Sequence, residues 1–493
     1  MMKPPDFDVF ITAEEAWPAF ERAVLSAEEE IICGFRIFDM TTRLRSAEAK
    51  EVGEDWFDLL AFVLRKGVKF TLIVSDFDPV MATELHETTW RTVRQGAALA
   101  ELSGVSKDQV DVRAAMHAAR AGWVPKLGFL PAVVLRKWRK LRGLDDARRT
   151  RQAVGLSSEG LPELHTVTHH QKLAVIDGET VYIGGLDLNE RRFDTKDHSQ
   201  APKDTWSDVQ IIIRGDVAAD ARTHLLTFED VTAGKCAVPK LRHLKRTLSR
   251  PRRFQVPFLS PDTVLTEIED AHLAAFRAAR HVIYIETQFL RSSAITKGLV
   301  AAGQANSDLT VIIVLPALPE AVAFEEEISL DAKYGLSLQE QSVSALRDAF
   351  GDRLLLVSPV QPILAARESK ATLAGSPIVY VHNKVLVTDD AYGLVGSANL
   401  NGRSLRWDTE VAVEVTDPAQ VAHLRGKLFS HWWGDVLPER AMKPETMFDW
   451  WNNEVRQNAV RSPKNRNGLL VPYDPENQTH HSQPLPGVTE DVV

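Results

Sequence analysis

The sequence predicts an α/β protein made of two repeats. Each repeat is a mixed, largely parallel β-sheet flanked by helices, and the two pack about a pseudo-twofold axis. Two observations carry this expectation. Short apolar strands alternate with helical segments in the same order in both halves, the pattern of a sheet covered on both faces. A motif of the form H-x-K-x4-D also occurs twice, at His170-Gln171-Lys172 with Asp177 and at His382-Asn383-Lys384 with Asp389. In each copy Asp follows Lys by five positions, and a glycine, Gly184 or Gly396, follows Asp by seven. One copy is expected by chance roughly once in twenty chains of this length and composition, so two copies with identical downstream spacing form an internal duplication.

In the first half, Thr12-Ala13-Glu14-Glu15 has the capping-box pattern, and a helix should run from it to Ala27. An apolar strand is expected over 31–38, a helix around 56–65 and, after Lys66-Gly67, a strand over 68–74. The second half repeats the plan. Ser260-Pro261-Asp262 should open a helix carrying Val264, Ile268, Ala271 and Ala275, followed by strands over 282–285, 309–315 and 354–357 with helices near 294–302 and 338–350. Trp432, Trp433, Trp450 and Trp451 read as packing residues, and the polar, proline-containing stretch from about Tyr473 as disordered. The expected organisation is a first repeat over 1–238, a basic linker over 239–257, a second repeat over 258–440, and a C-terminal helix and tail over 441–493.

The halves differ by an insertion. Ile31 pairs with Val282 at an offset of 251, but His170 pairs with His382 at 212, so the first half holds about forty extra residues before its motif. The excess contains residues 122–151. There Trp123, Val124, Leu127, Phe129, Leu130 and Val133–Leu135 run into Arg136-Lys137-Trp138-Arg139-Lys140-Leu141-Arg142. An apolar, aromatic segment leading into clustered cations suits an interfacial membrane anchor; a cationic helix covering the domain's own core is the other reading. A second basic run, Lys240 to Arg253, is bracketed by Pro239, Pro251 and Pro257 and reads as the solvated linker.

Composition bounds the function. With 493 residues, 44% hydrophobic and 25% charged, the chain suits two globular domains. Net charge −9 argues against a general nucleic-acid coat. Cys33 and Cys236 have no motif spacing, so neither a disulfide framework nor a zinc site is expected, and His480-His481 reads as incidental. The N-terminal residues show no signal pattern, and no apolar run reaches eighteen residues. The expectation is a cytoplasmic or peripheral-membrane protein.

A strand sends alternate side chains to one face, so His170 and Lys172 should point together, as should His382 and Lys384. Converging two imidazoles and two ammonium groups across a pseudo-twofold suits a tetrahedral anion, with phosphate the obvious candidate. One histidine can act as nucleophile and the other as general acid. Asp208 and Glu410 head later strands and can orient the imidazoles. Asp177 and Asp389 end the motif strands, where they are as well suited to turns or ion pairs as to catalysis. With no H-E-x-x-H or Cys/His cluster, no metal or other cofactor is expected.

These residues resemble the phospholipase D superfamily, and the eukaryotic-type phospholipases D most closely. His169-His170-Gln171-Lys172, Gly184-Gly185-Leu186-Asp187-Leu188, Arg192-Phe193-Asp194-Thr195, Ile283-Tyr284-Ile285-Glu286-Thr287-Gln288-Phe289 and Gly396-Ser397-Ala398-Asn399 carry the resemblance, over roughly 31–433. It implies a phosphohistidine intermediate at His170, leaving-group protonation by His382, and phosphate contacts from Lys172, Lys384 and Asn399. Asp187 stands at the position equivalent to Asn399, and Gly185, Ser397 and Gln288 complete the implied substrate set. Glu410 matches the family's histidine-orienting acid, with Asp208 its repeat-related partner. The family's Trp-His-Asp is here Trp206-Ser207-Asp208. The implied partner is a phospholipid at a membrane surface met through residues 122–151. The implied activity is metal-independent hydrolysis to phosphatidate and head-group alcohol, with transphosphatidylation as a companion. Alternatives are a cardiolipin-synthase-like phosphatidyltransferase, a superfamily nuclease and a non-catalytic membrane-binding module. Both half-sites lie in one chain, so a monomer should suffice.

Overall fold

The computed structural model of the protein describes residues 6–106, 108–143, 163–325, 328–476, 482–485 and 488–493. Two sheets form its frame. The first has seven strands: β1 (Phe7–Ile11), β2 (Glu30–Phe35), β3 (Lys69–Ser75), β4 (Val110–Ala115), β5 (Lys172–Ile176), β6 (Thr180–Gly184) and β7 (Val209–Arg214), in the order β1-β7-β6-β5-β2-β3-β4. The second has nine: β8 (Leu244–Arg250), β9 (Asp262–Thr266), β10 (Val282–Thr287), β11 (Thr310–Val314), β12 (Leu354–Pro359), β15 (Lys384–Thr388), β16 (Tyr392–Gly396), β17 (Glu410–Val415) and β18 (Leu470–Pro472). A small separate hairpin supplies β13 (Thr372–Leu373) and β14 (Ser376–Pro377).

The two repeats superimpose strand for strand around the motif. Lys172 faces Phe35 across β5/β2, and Lys384 faces Thr287 across β15/β10. That register makes Ile31 equivalent to Ile283, one residue from the pairing read in the sequence. Both sheets are mixed, as expected, but antiparallel pairing dominates: within each sheet of the described residues only two pairings are parallel. The cause is local. Asp177 and Gly178 both take positive φ, 52° and 64°, which makes a tight hairpin turn, and a hairpin can join only antiparallel strands.

Each sheet has helices on both faces, and the sheets share a core. Val181, Ile183, Val209 and Ile211 belong to the same buried cluster as Val395, Val411 and Val413, and β6 touches β16 and β17. The helices Asp216–Thr232 and Pro418–Trp433 follow β7 and β17, and each packs against a strand of the other sheet, β8 and β1. The repeats are thereby clasped.

Three organisational expectations need correction. Residues 244–250 of the basic run are not linker but β8, antiparallel to β17, with Arg246 buried against Glu267 and Lys245 paired to Glu414. The helix expected from Ser260 begins only at Glu267, because Asp262–Thr266 pairs with β8 as an extended edge strand. The region after 441 contributes β18 to the second sheet, and its described end folds back: Glu490 accepts the Ser293 amide at 2.9 Å and sits 3.6 Å from Arg406. The inserted region does form a helix, Trp123–Gly143, at the place the offset indicates. Among the described residues no helix is long and apolar enough to cross a membrane.

Candidate active site

The site is assembled where the starts of β5 and β15 meet. Immediately before each strand, the chain makes a short parallel bridge to the other repeat: His169 to Thr409, and Val381 to Ser207. The bonds match across the pseudo-twofold. The His170 amide donates to the Thr409 carbonyl at 2.9 Å, and the His382 amide to the Ser207 carbonyl at 2.8 Å. Thr409 and Ser207 each precede an acid, so each bridge sets that acid beside the opposite repeat's histidine. Nδ1 of His170 lies 2.8 Å from Oε1 of Glu410, and Nδ1 of His382 lies 2.6 Å from Oδ2 of Asp208. The carboxylates are crossed between repeats.

This crossing fixes the chemistry of the rings. A carboxylate at Nδ1 holds the proton there and leaves Nε2 with its lone pair, so each imidazole can attack, or carry a transferable proton, at Nε2. Lys172 donates to the His170 carbonyl at 2.6 Å, and its ammonium also lies 3.3 Å from Nε2 of His170. Lys384 donates to the His382 carbonyl in the matching way. Lysine and histidine therefore share one face in both copies.

Burial dominates the titration of the site. It pushes His170 and His382 well below the ordinary imidazole range, and the neighbouring lysines push the same way. Burial also draws Lys384 down to about 7, with Asp208 opposing and Lys172 assisting. Asp208 is raised to about 7 and Glu410 to about 8, again by burial, against the pull of nearby ammonium groups. A bound anion would reverse the cationic part of this pattern by supplying the missing negative charge.

The half-sites are not identical. Asp187 sits 3.6 Å from Arg36 and 3.9 Å from Lys172, and accepts the Ile37 amide at 3.1 Å. Its counterpart Asn399 is buried, with a side-chain oxygen that has no partner among the described residues. Ser397 donates to Glu410. Gly185, its counterpart, has no room for a side chain, because a Cβ there would stand 2.2 Å from the Asp208 carboxylate.

The motif aspartates are not brought to the histidines. Asp177 accepts the amides of Glu28, Glu29 and Glu30, and Asp389 those of Arg280, His281 and Val282. Each lies at the far end of its strand, seven residues or about 20 Å from its histidine, and pins the hairpin turn to the start of the neighbouring strand. Gln288 donates to the Tyr380 hydroxyl at 2.8 Å, and Tyr380 packs on Trp206, the residue against His382. Among the described residues no group of three or more His, Cys, Asp or Glu is arranged to hold a metal ion.

A family model described as "Cardiolipin synthase, PLD-like domain" matches residues 273–433, the second repeat. Phospholipase D alpha 1 of Oryza sativa subsp. japonica is 24% identical over 376 residues, taking in 52% of this chain and 46% of that protein. Phospholipase D1 of Cricetulus griseus is 26% identical over 292 residues, 49% of this chain and 28% of that protein. The matching model and these curated relatives support membership of the phospholipase D superfamily. The chain spans less than half the length of these two curated relatives. The solved phosphatidylserine synthase of Haemophilus influenzae Rd KW20 shares the fold, with TM-score 0.51 and 14% identity over 92% of this chain and 94% of that one.

Around this centre stand residues that sequence patterning did not place there. Trp206 packs on His382 with ring centroids 4.5 Å apart, and the Arg192 guanidinium stacks 3.6 Å over the same indole. Arg36 and Arg403 bear electrostatically on His170. The only signal for Trp206 and Arg192 was their place in the flanking motifs of the phospholipase D pattern, and Arg36 and Arg403 carried none.

Proposed function

We propose that this protein is a phosphodiesterase of the phospholipase D type acting on phospholipids. The supporting observation is the crossed pairing: two imidazoles, each with a buried carboxylate at Nδ1 and a lysine on the same face, leave both Nε2 atoms for one phosphodiester. His170 Nε2 attacks phosphorus, forming the N–P bond as the P–O bond to the head group breaks. His382 gives its Nε2 proton to the departing alkoxide. The phosphohistidine is then opened by water, which yields phosphatidate, or by another alcohol, which yields a new phosphodiester; His382 takes the incoming proton. Lys172, Lys384 and Asn399 bind the phosphoryl oxygens, and no metal ion enters the scheme.

A phosphatidyltransferase with a lipid alcohol as acceptor uses the same steps. The description of the matching family model favours keeping it as the second reading. One experiment tests both. Purified protein is incubated with mixed phospholipid vesicles in chelator, with and without added glycerol or phosphatidylglycerol, beside His170→Ala. The expected result is phosphatidate or transferred phosphatidyl product from wild type, and a loss of about 10⁵-fold or more in the variant. Neither product from wild type, or equal turnover by the variant, would refute the proposal.

A further inference from the structure

We infer that the cavity beneath the Trp123–Gly143 helix is the acyl-chain subsite of the phospholipid, filled from an anionic bilayer on which that helix rests. The inference depends on the phospholipid reading above and adds where the lipid body lies.

The outer surface is the first support. The helix start is stitched to the segment before β9: the Gly122 amide donates to the Phe258 carbonyl at 2.8 Å, and the Val124 amide to the Val256 carbonyl at 3.0 Å. The approach is so close that a Cβ on Gly122 would stand 1.8 Å from the Gln255 carbonyl oxygen. This brings Trp123, Val124 and Leu127 beside Phe254, Val256 and Phe258, and each of these six side chains is at least 41% exposed. Two segments more than a hundred residues apart thus build one exposed apolar surface, the kind of feature that accompanies interaction sites. Cations accompany it. Arg252 lies over the Phe258 ring, and Arg142 over the exposed Trp138. Apolar rings at a cationic margin complement an anionic lipid surface.

The inner side is the second support. Phe129, Val133 and Leu135 of the helix face Leu164, Leu259 and Trp407 across a cavity of about 660 Å³, within the range of ligand pockets. Its wall continues to Thr166 and Arg403, which lead to the histidine. Arg403 binds Asp408 at 2.8 Å, and Asp408 takes the Thr168 amide at 2.8 Å, two residues before His170. A largely apolar chamber, with Arg136, Arg139 and His165 also on its wall, that opens under a bilayer-facing helix and runs toward the phosphate-binding centre matches an acyl chain joined to a phosphodiester. A second protein copy would use the outer surface and leave the chamber unexplained. The second repeat carries only the β13/β14 hairpin before its motif, so the lipid approaches from one side.

The full chain tests this with two readouts. The first is the ratio of kcat/KM on long-chain phosphatidylglycerol vesicles to kcat/KM on bis(p-nitrophenyl) phosphate. Ala132→Trp, which fills the cavity mouth, should lower that ratio at least about tenfold. Partial misfolding would lower both substrates alike and leave the ratio unmoved. The second is binding to phosphatidylglycerol–phosphatidylcholine vesicles with brominated chains. Protein fluorescence should be quenched, less so in Trp123→Phe, and Leu127→Ser should bind about tenfold more weakly. If phospholipid is cleaved but Ala132→Trp keeps the wild-type ratio, the subsite falls alone. If wild type cleaves the aryl diester and no phospholipid, the proposed function falls and takes the subsite with it. Absent quenching, or a drop from dimer to monomer mass in Leu127→Ser, overturns the membrane face.

Discussion

The two half-sites use the same backbone device and end with different charge. Each begins with a parallel bridge to the other repeat, and each hands a carboxylate across it. Then they diverge. The first half-site holds Asp187 against Lys172 and Arg36, so its cations are partly neutralised before substrate arrives. The second has Asn399, whose side-chain oxygen has no partner among the described residues, and Lys384 drawn down to about 7. A symmetric frame therefore carries an unsymmetric field. That difference gives two chemically similar imidazoles a basis for separate tasks.

Removing the general acid should divide the tasks most sharply. His382→Ala should lower phospholipid turnover about 10²- to 10⁴-fold. It should cost far less on a p-nitrophenyl phosphodiester, whose leaving group needs no proton, and phosphoenzyme should be trappable there by acid quench. Equal losses on both substrates would mean that His382 is not the acid.

The acids come next. Glu410→Gln keeps the shape at His170 but replaces an acid that can take or give a proton by an amide that cannot, and should reduce kcat about 10²- to 10⁴-fold. It also has a stability signature. Burial raises Glu410 from about 4.5 to about 8, so the folded protein holds that proton more tightly than the unfolded chain. Its contribution to stability is complete below about 4.5 and is lost as pH rises through about 8. Calorimetric Tm should therefore fall less in Glu410→Gln than in wild type across that window. Identical slopes would mean that the carboxylate is ionised throughout.

The smallest effect should come from making the halves alike. Asp187→Asn gives the first half-site the second's chemistry and frees Lys172 of its counter-charge. Competitive inhibition by inorganic phosphate should strengthen about tenfold, the size of a modest ion-pair change in a partly shielded site. Unchanged inhibition would place Asp187 outside the phosphate's field.

Much of this site was legible because it is local. H-x-K on a strand sets two side chains on one face, and a second copy with the same spacing marks a second half-site. What was not legible depends on contacts between distant segments. Nothing near Asp208 says that it serves His382, since the bridge from Ser207 to Val381 exists only after both repeats dock. The motif aspartates show the reverse. Asp177-Gly178 already had the form of a hairpin turn, and the three amides held by Asp177 explain its place in the motif without any chemistry at phosphorus. Sheet direction was misjudged for the same reason, because strand–helix alternation was given more weight than that turn.

The crossed carboxylates have a further consequence, for the order in which the protein comes to life. A first repeat emerging alone from the ribosome has His170, Lys172 and Arg36 but no Glu410, so its imidazole lacks the acid at Nδ1. The second repeat alone lacks Asp208. On the proposed mechanism neither half can begin phosphoryl chemistry on its own, and docking of the two repeats becomes a checkpoint that precedes any turnover.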